Sequence, residues 1–179
     1  QIEETPPCRQ IEETPKEERV LPPMIKKPRK IIFTNDRLSP DLPTKLKNRV
    51  IELNGYDLKF VMHKQLFNSD VNPNSNRLSM PINEIKCNFF SKAEVEKLDK
   101  REGHEGKGRL LGIEVTVLDP CLREFTLLLK KWSMQRTDTY NLVKKWNDIV
   151  SVNKFEAYQE LQIWSFRVYD KLYFLLSKL

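Results

Sequence analysis

Apolar and polar positions alternate most regularly between Gly112 and Trp132, GIEVTVLDPCLREFTLLLKKW. Ile113, Val115 and Val117 alternate with Glu114 and Thr116, and Phe125, Leu127 and Leu129 alternate with Thr126, Leu128 and Lys130. A period of two keeps one face of a pleated strand apolar, so the stretch predicts a β-hairpin. Asp119-Pro120 breaks the run. Aspartate bonds the backbone just beyond it and proline presets φ, which gives a turn over 119–124 a physical cause. After Leu129 the pattern gives way to Lys130-Lys131-Trp132-Ser133-Met134-Gln135-Arg136-Thr137, a cationic loop with an aromatic at its base.

The same reading extends along the rest of the chain. Leu46, Val50 and Leu53 recur at helical spacing behind Pro43-Thr44-Lys45, and Gly55 stands where a left-handed C-cap is wanted, so a short helix is expected over 43–54. YDLKFVMHKQLF (56–67) predicts the first strand, the polar run 68–76 a loop that supplies no core, and RLSMP (77–81) a second strand. Ser91-Lys92-Ala93-Glu94 matches a capping box, opening a brief helix that the charged, glycine-containing stretch 99–108 ends. A short strand is expected over 140–143, then a helix over 145–152 with Trp146, Ile149 and Val150 on one face. LQIWSFRV (161–168) and KLYFLL (171–176) predict a closing hairpin about Tyr169-Asp170. Many short strands with little helix between them argue a small closed or nearly closed barrel.

Composition divides the chain in two. Its 179 residues, 39% of them hydrophobic, suffice for one domain and a tail. The strong periodicity begins only after residue 43, so residues 1–40 are read as a charged, proline-rich disordered tail and 41–179 as the folded domain. The tail holds an imperfect repeat, QIEETPPCR then QIEETPKEER, and a basic cluster of Lys26, Lys27, Arg29 and Lys30 around Pro28. Such a cluster is either an extended peptide for a nuclear import receptor or a solvated charge run. Gln1 rather than Met stands first, as in a piece of a longer chain.

A net charge of +6 makes a polyanion a reasonable partner, though many basic proteins bind no nucleic acid. Cys8, Cys87 and Cys121 are odd in number and show no CxxC spacing, which argues against a zinc site or a disulfide framework. No cofactor or metal is expected. No apolar run reaches the length of a membrane span, and no signal-peptide core is visible. Catalysis has no support: GxSxG and HExxH are missing, and His63 and His104 stand apart with no nucleophile beside them. Glu114 and Asp119 are better explained as strand-face and turn residues than as paired catalytic carboxylates. The glycines of 103–108 lack the Lys and Ser or Thr of a phosphate loop and precede a strand, so they are read as a connector.

One ordered set is more specific. KQLFNSDV (64–71), RLSMP (77–81), GIEVTVLDP (112–120), LKKW (129–132), YNLVKKW (140–146) and IWSFR (163–167) together resemble the plant B3 DNA-binding domain, in particular a divergent subgroup with an RLSMP segment and a helical lead-in. The resemblance covers about residues 56–176. It implies a mainly β fold, a seven-stranded open pseudobarrel with two short helices, here preceded by the short lead-in helix. It further implies a nuclear, non-enzymatic transcriptional regulator whose two arms enter the major groove of double-stranded DNA.

By matching positions, the first arm is the loop from Lys64 to Arg77, with Asn68, Ser69, Asn74 and Asn76, and the second runs from Lys130 to Thr139, with Lys131, Ser133, Gln135 and Arg136. Arg136 suits guanine or phosphate, the amides suit base edges or backbone, and Lys64, Lys130 and Lys131 suit phosphate. Lys144 and Lys145 would add phosphate contacts. The other reading of 68–76 is an ordinary turn-rich loop, and the other reading of the whole is a degenerate barrel that meets acidic proteins. Two departures stand out: the family has glycine where this chain has Lys145, and Gly-Asp where it has Tyr158-Gln159. If φ is positive there, losing glycine costs on the order of 1 kcal/mol, so either the turns are rebuilt or the domain is less stable. Trp132, Trp146 and Trp164 alternate with apolar neighbours and are read as core or rim. Oligomeric state is not legible.

Overall fold

The structure is a computed structural model that describes residues 39–103 and 105–179. The tail, with its repeat and the cluster at Lys26, Lys27, Arg29 and Lys30, lies outside the described residues. Seven strands, β1 (Tyr56–Gln65), β2 (Arg77–Pro81), β3 (Ile113–Leu118), β4 (Glu124–Trp132), β5 (Thr139–Val143), β6 (Glu160–Val168) and β7 (Lys171–Lys178), form one curled sheet in the order β1-β6-β7-β3-β4-β5-β2. Neighbours are antiparallel except β3 and β7, which run parallel. β1 and β2 are the terminal strands, so the barrel stays open.

Alternation decides what each strand buries. Val115, Val117, Leu127, Leu129, Leu142, Leu78, Met80, Ile163, Phe174 and Leu176 point into one core. The opposite face of β1, β6 and β7 is apolar too, because α1 (Thr44–Glu52) lies on it through Leu46 and Val50, against Phe60, Trp164, Phe166 and Leu175. β6 is therefore buried on both faces. A bulge in β1 between Phe60 and Met62 places Val61 at the sheet edge, where its carbonyl accepts from Lys86 N at 2.8 Å.

Among the described residues there are four α-helices where three were expected. α2 (Asn68–Val71) is one turn inside the segment read as loop, followed by α3 (Lys92–Leu98) and α4 (Trp146–Asn153). The left-handed residue after α1 is Asn54, at φ 56°, not Gly55. Glycine is needed at 55 for another reason: a Cβ there would lie 2.7 Å from Val50 Cγ1 and 2.8 Å from Phe166 Cδ2. The turn residue Asp119 is fully buried. Its Oδ1 accepts from Cys121 N and Arg123 N at 3.0 and 2.8 Å, and its Oδ2 from Asn153 Nδ2 at 3.0 Å, which ties the hairpin to α4.

The closing hairpin turns through Tyr169 and Asp170 at φ 48° and 62°, the pair of positive φ values that a two-residue turn between right-twisted strands requires. Lys145 and Tyr158 keep φ at 54° and 70°, so the backbone at the two missing glycines is not rebuilt. Tyr158 is held there by its N–H to Leu66 O at 2.6 Å. A side chain in this region costs about 1–2 kcal/mol. Tyr158→Gly is therefore expected to raise stability by about 1 kcal/mol, the greater freedom of the unfolded glycine offsetting part of the gain; equilibrium denaturation checks it, and an unchanged midpoint would refute the strain.

The capping box forms as expected: Glu94 N donates to Ser91 Oγ at 3.2 Å and Ser91 N to Glu94 Oε1 at 2.8 Å. Arg167 Nη1 of β6 reaches Glu94 Oε2 at 2.8 Å, which fixes α3 against the barrel. Burial pushes the Glu94 carboxyl up, but the Arg167 guanidinium and the Ser91 amide together hold it below its ordinary value. A depressed carboxyl contributes stability above its unfolded pKa and loses it as pH falls through the folded one. The destabilisation caused by Glu94→Gln should thus be full at neutral pH and shrink below the ordinary carboxylate range, as denaturation midpoints across pH would show; a deficit constant with pH would contradict it.

Candidate nucleic-acid interface

Register places nine residues of β4, β5 and β2 on the face opposite the core. Cross-strand pairing sets them in three rows: Leu128, Val143 and Arg77; Lys130, Asn141 and Ser79; Trp132, Thr139 and Pro81. The first arm enters β2 at Arg77, beside the first row, and the second arm joins Trp132 to Thr139, beside the third. The arms therefore stand at opposite ends of the same strands. Four residue steps along β2 at 3.4 Å each separate the two ends by about 14 Å.

The first arm is held by one buried ion pair. Lys64 and Asp70 are almost wholly buried, at 2% residue exposure each, with Nζ 3.0 Å from Asp70 Oδ2. That oxygen also accepts from Phe67 N at 2.8 Å, Oδ1 accepts from Ser79 N at 3.1 Å, and the Asp70 carbonyl accepts from Trp146 Nε1 at 2.7 Å. One residue thus joins β1, α2, β2 and α4. Asn147 continues the clamp, its N–H donating to Asn76 Oδ1 at 2.9 Å and its Nδ2 to Pro73 O at 2.8 Å. The second arm is built differently. Ser133, Gln135 and Arg136 are exposed, and among the described residues their side chains make no hydrogen bond or ion pair.

The expected contact residues separate into groups. Asn68, Ser69 and Asn74 are exposed on the first arm, Ser133, Gln135 and Arg136 on the second, and Lys144 and Lys145 just beyond the first row, past Val143. Arg77 and Lys130 lie half-buried on the face between. Asn76 is half-buried, its carbonyl oxygen occupied by Asn147. Two expectations are corrected. Lys64 was read as a phosphate ligand, but burial and Asp70 take its ammonium out of reach. Lys131 pairs with Tyr140 on the core side of the sheet, and its Nζ lies 3.8 Å from Asp99 Oδ1, so it faces away from the rows. Alternation carried both signals: Lys64 shares parity with Met62 and Leu66, and Lys131 with Leu127 and Leu129. The same parity picks out Ser79, Asn141 and Trp132, which the sequence reading did not place on this face.

A family model described as "B3 domain-containing protein At2g31720-like" matches residues 38–179. The chain belongs to the B3 domain family. The B3 domain here is 36% identical over 124 residues to B3 domain-containing protein At2g31720 of Arabidopsis thaliana, covering 69% of this chain and 39% of the relative. It is 35% identical over 117 residues to B3 domain-containing protein At3g25182 of the same plant, covering 62% of this chain and 33% of the relative. The chain thus spans between a third and two fifths of these relatives. Among solved structures, the Arabidopsis thaliana transcription factor LEC2-DNA complex is similar, with a TM-score of 0.44 and 21% identity over 68% of this chain and 96% of that one.

Removing one partner of a buried, hydrogen-bonded pair leaves a charge without compensation and costs about 3–5 kcal/mol. Lys64→Met in the B3 domain is expected to destabilise by that amount in equilibrium denaturation. A loss below about 1 kcal/mol, the range of an exposed pair, would show that the pair does not hold the arm.

Proposed function

We propose that this chain binds double-stranded DNA as the DNA-binding domain of a nuclear transcriptional regulator, with its two arms straddling the major groove. The observation that carries the reading is the arrangement of the arms at the two ends of one face whose middle row is polar, about 14 Å apart by strand rise, close to the roughly 12 Å width of the groove. Arg136, Gln135 and Ser133 on one side and Asn68, Ser69 and Asn74 on the other are exposed donors and acceptors of the kinds that meet bases and phosphates. Lys130, Lys144 and Lys145 supply charge to the backbone. Membership of the B3 family supports the same reading, and it supports a binding module over an enzyme. The cluster at Lys26–Lys30 is proposed as the segment an import receptor reads.

Selection of bound duplexes from a random pool tests the proposal, followed by a salt titration on the winner. Contact with about five phosphates predicts a log–log slope near −4 to −5. Arg136→Ala should relax preference at one position, whereas Lys144→Ala should weaken all duplexes alike. No enriched motif together with a flat salt response would overturn the proposal and favour a barrel that binds acidic proteins.

A further inference from the structure

Arg77 opens β2, but its guanidinium does not stay over its own row. Its Cζ lies 5.2 Å from the centroid of the Trp132 ring, although Arg77 belongs to the first row of the face and Trp132 to the third. The line between them passes over the middle row, where Asn141 stands between Ser79 and Lys130. Two buried polar atoms on this face have no partner among the described residues, Arg77 Nε and Asn141 Oδ1. One is a donor and the other an acceptor. Asn141 is wholly buried, and its Nδ2 donates to Thr139 Oγ1 at 2.9 Å, which fixes the carboxamide and leaves Oδ1 as the free end.

Unmet buried polar groups are rare in folded proteins and call for a specific cause. Here both lie on the face between the two arms. An arginine resting on an indole is held by the ring while its planar fork of N–H donors stays available at the edge. The guanidinium forms no hydrogen bond or ion pair among the described residues.

We infer that Arg77 is a guanine reader carried by the strand floor between the arms, with Trp132 as its platform and Asn141 as the acceptor that receives Nε when the fork engages the base. Guanine presents O6 and N7 side by side in the major groove, which is the acceptor pair a guanidinium fork fits. Trp132 and Asn141 are positioning residues in this arrangement, because neither needs to touch DNA. The inference rests on the DNA-binding reading above and gives the residue at the root of the first arm a base-reading role over the face between the arms.

The test selects duplexes with the wild-type chain, Arg77→Lys, Trp132→Leu, Trp132→Phe and Asn141→Val from one random pool, then measures affinity for the winner with each base pair changed in turn. Arg77→Lys keeps the charge and loses the fork, so it should erase a preference of about 5- to 150-fold at one G·C pair and keep the others. Trp132→Leu and Asn141→Val should weaken preference at that same pair, and Trp132→Phe, which keeps a ring, should restore most of it. Selectivity retained at the other pairs shows that each variant is folded. Arg77→Lys with every preference intact, or a uniform loss across all duplexes as from a phosphate contact, overturns the inference while leaving DNA binding standing. Trp132→Leu or Asn141→Val acting at a different pair, or not at all, also overturns the arrangement. A wild-type chain that enriches no motif defeats the DNA-binding reading and this inference with it.

Discussion

The buried pair of Lys64 and Asp70 is the constraint on which the rest of the candidate interface depends. Taking two charges out of water costs several kcal/mol per ion, and mutual attraction recovers that only where the remaining hydrogen-bonding capacity is filled. Here Asp70 fills it with the amides of Phe67 and Ser79. An apolar pair of the same volume would avoid the desolvation, but it would strand two part-buried amides at about 1–3 kcal/mol each. The ion pair is thus a means of directing backbone: it fixes where β1 ends, how α2 turns and where β2 begins.

The same carboxylate solves a second problem. β2 is a terminal strand, and its outward backbone groups would otherwise invite another strand. Ser79 N is capped by Asp70 Oδ1, and Pro81, two residues on and facing the same way, has no N–H to offer. The edge is therefore closed by the arm that grows from it. This ties the first arm to the sheet, whereas among the described residues the side chains from Ser133 to Arg136 make no hydrogen bond or ion pair.

Much of this was legible from alternation alone. The strands at 113–118 and 124–132, the capping box at Ser91 and the closing turn at Tyr169-Asp170 follow from local periodicity and local chemistry, and each stands where those rules put it. The arms were found by resemblance, and there residue type misled. A lysine ahead of a polar loop reads as a phosphate ligand, yet Lys64 continues the inward parity of Met62. What parity cannot supply is the partner: nothing local says that Asp70, six residues on in a polar run, will turn inward to meet it. The pairing of β4 with β5 and of β5 with β2 is nonlocal in the same way, so the rows joining Lys130, Asn141 and Ser79 emerge only in the folded sheet.

The lead-in helix decides which outer face stays open. A curled sheet has one inner surface, and its outer surface has no core of its own to rest on. α1 covers the outer side of β1, β6 and β7, where Phe60, Trp164, Phe166 and Leu175 are large and apolar. Across β4, β5 and β2 the outer side carries Arg77, Ser79 and Lys130, half-buried polar residues that a packing helix would have to desolvate without return. The boundary between the two halves is set by side-chain chemistry, strand by strand. The second arm joins two strands of the uncovered half, β4 and β5, and the first crosses from covered β1 into uncovered β2, so the element that completes the second core also leaves open the face between the arms.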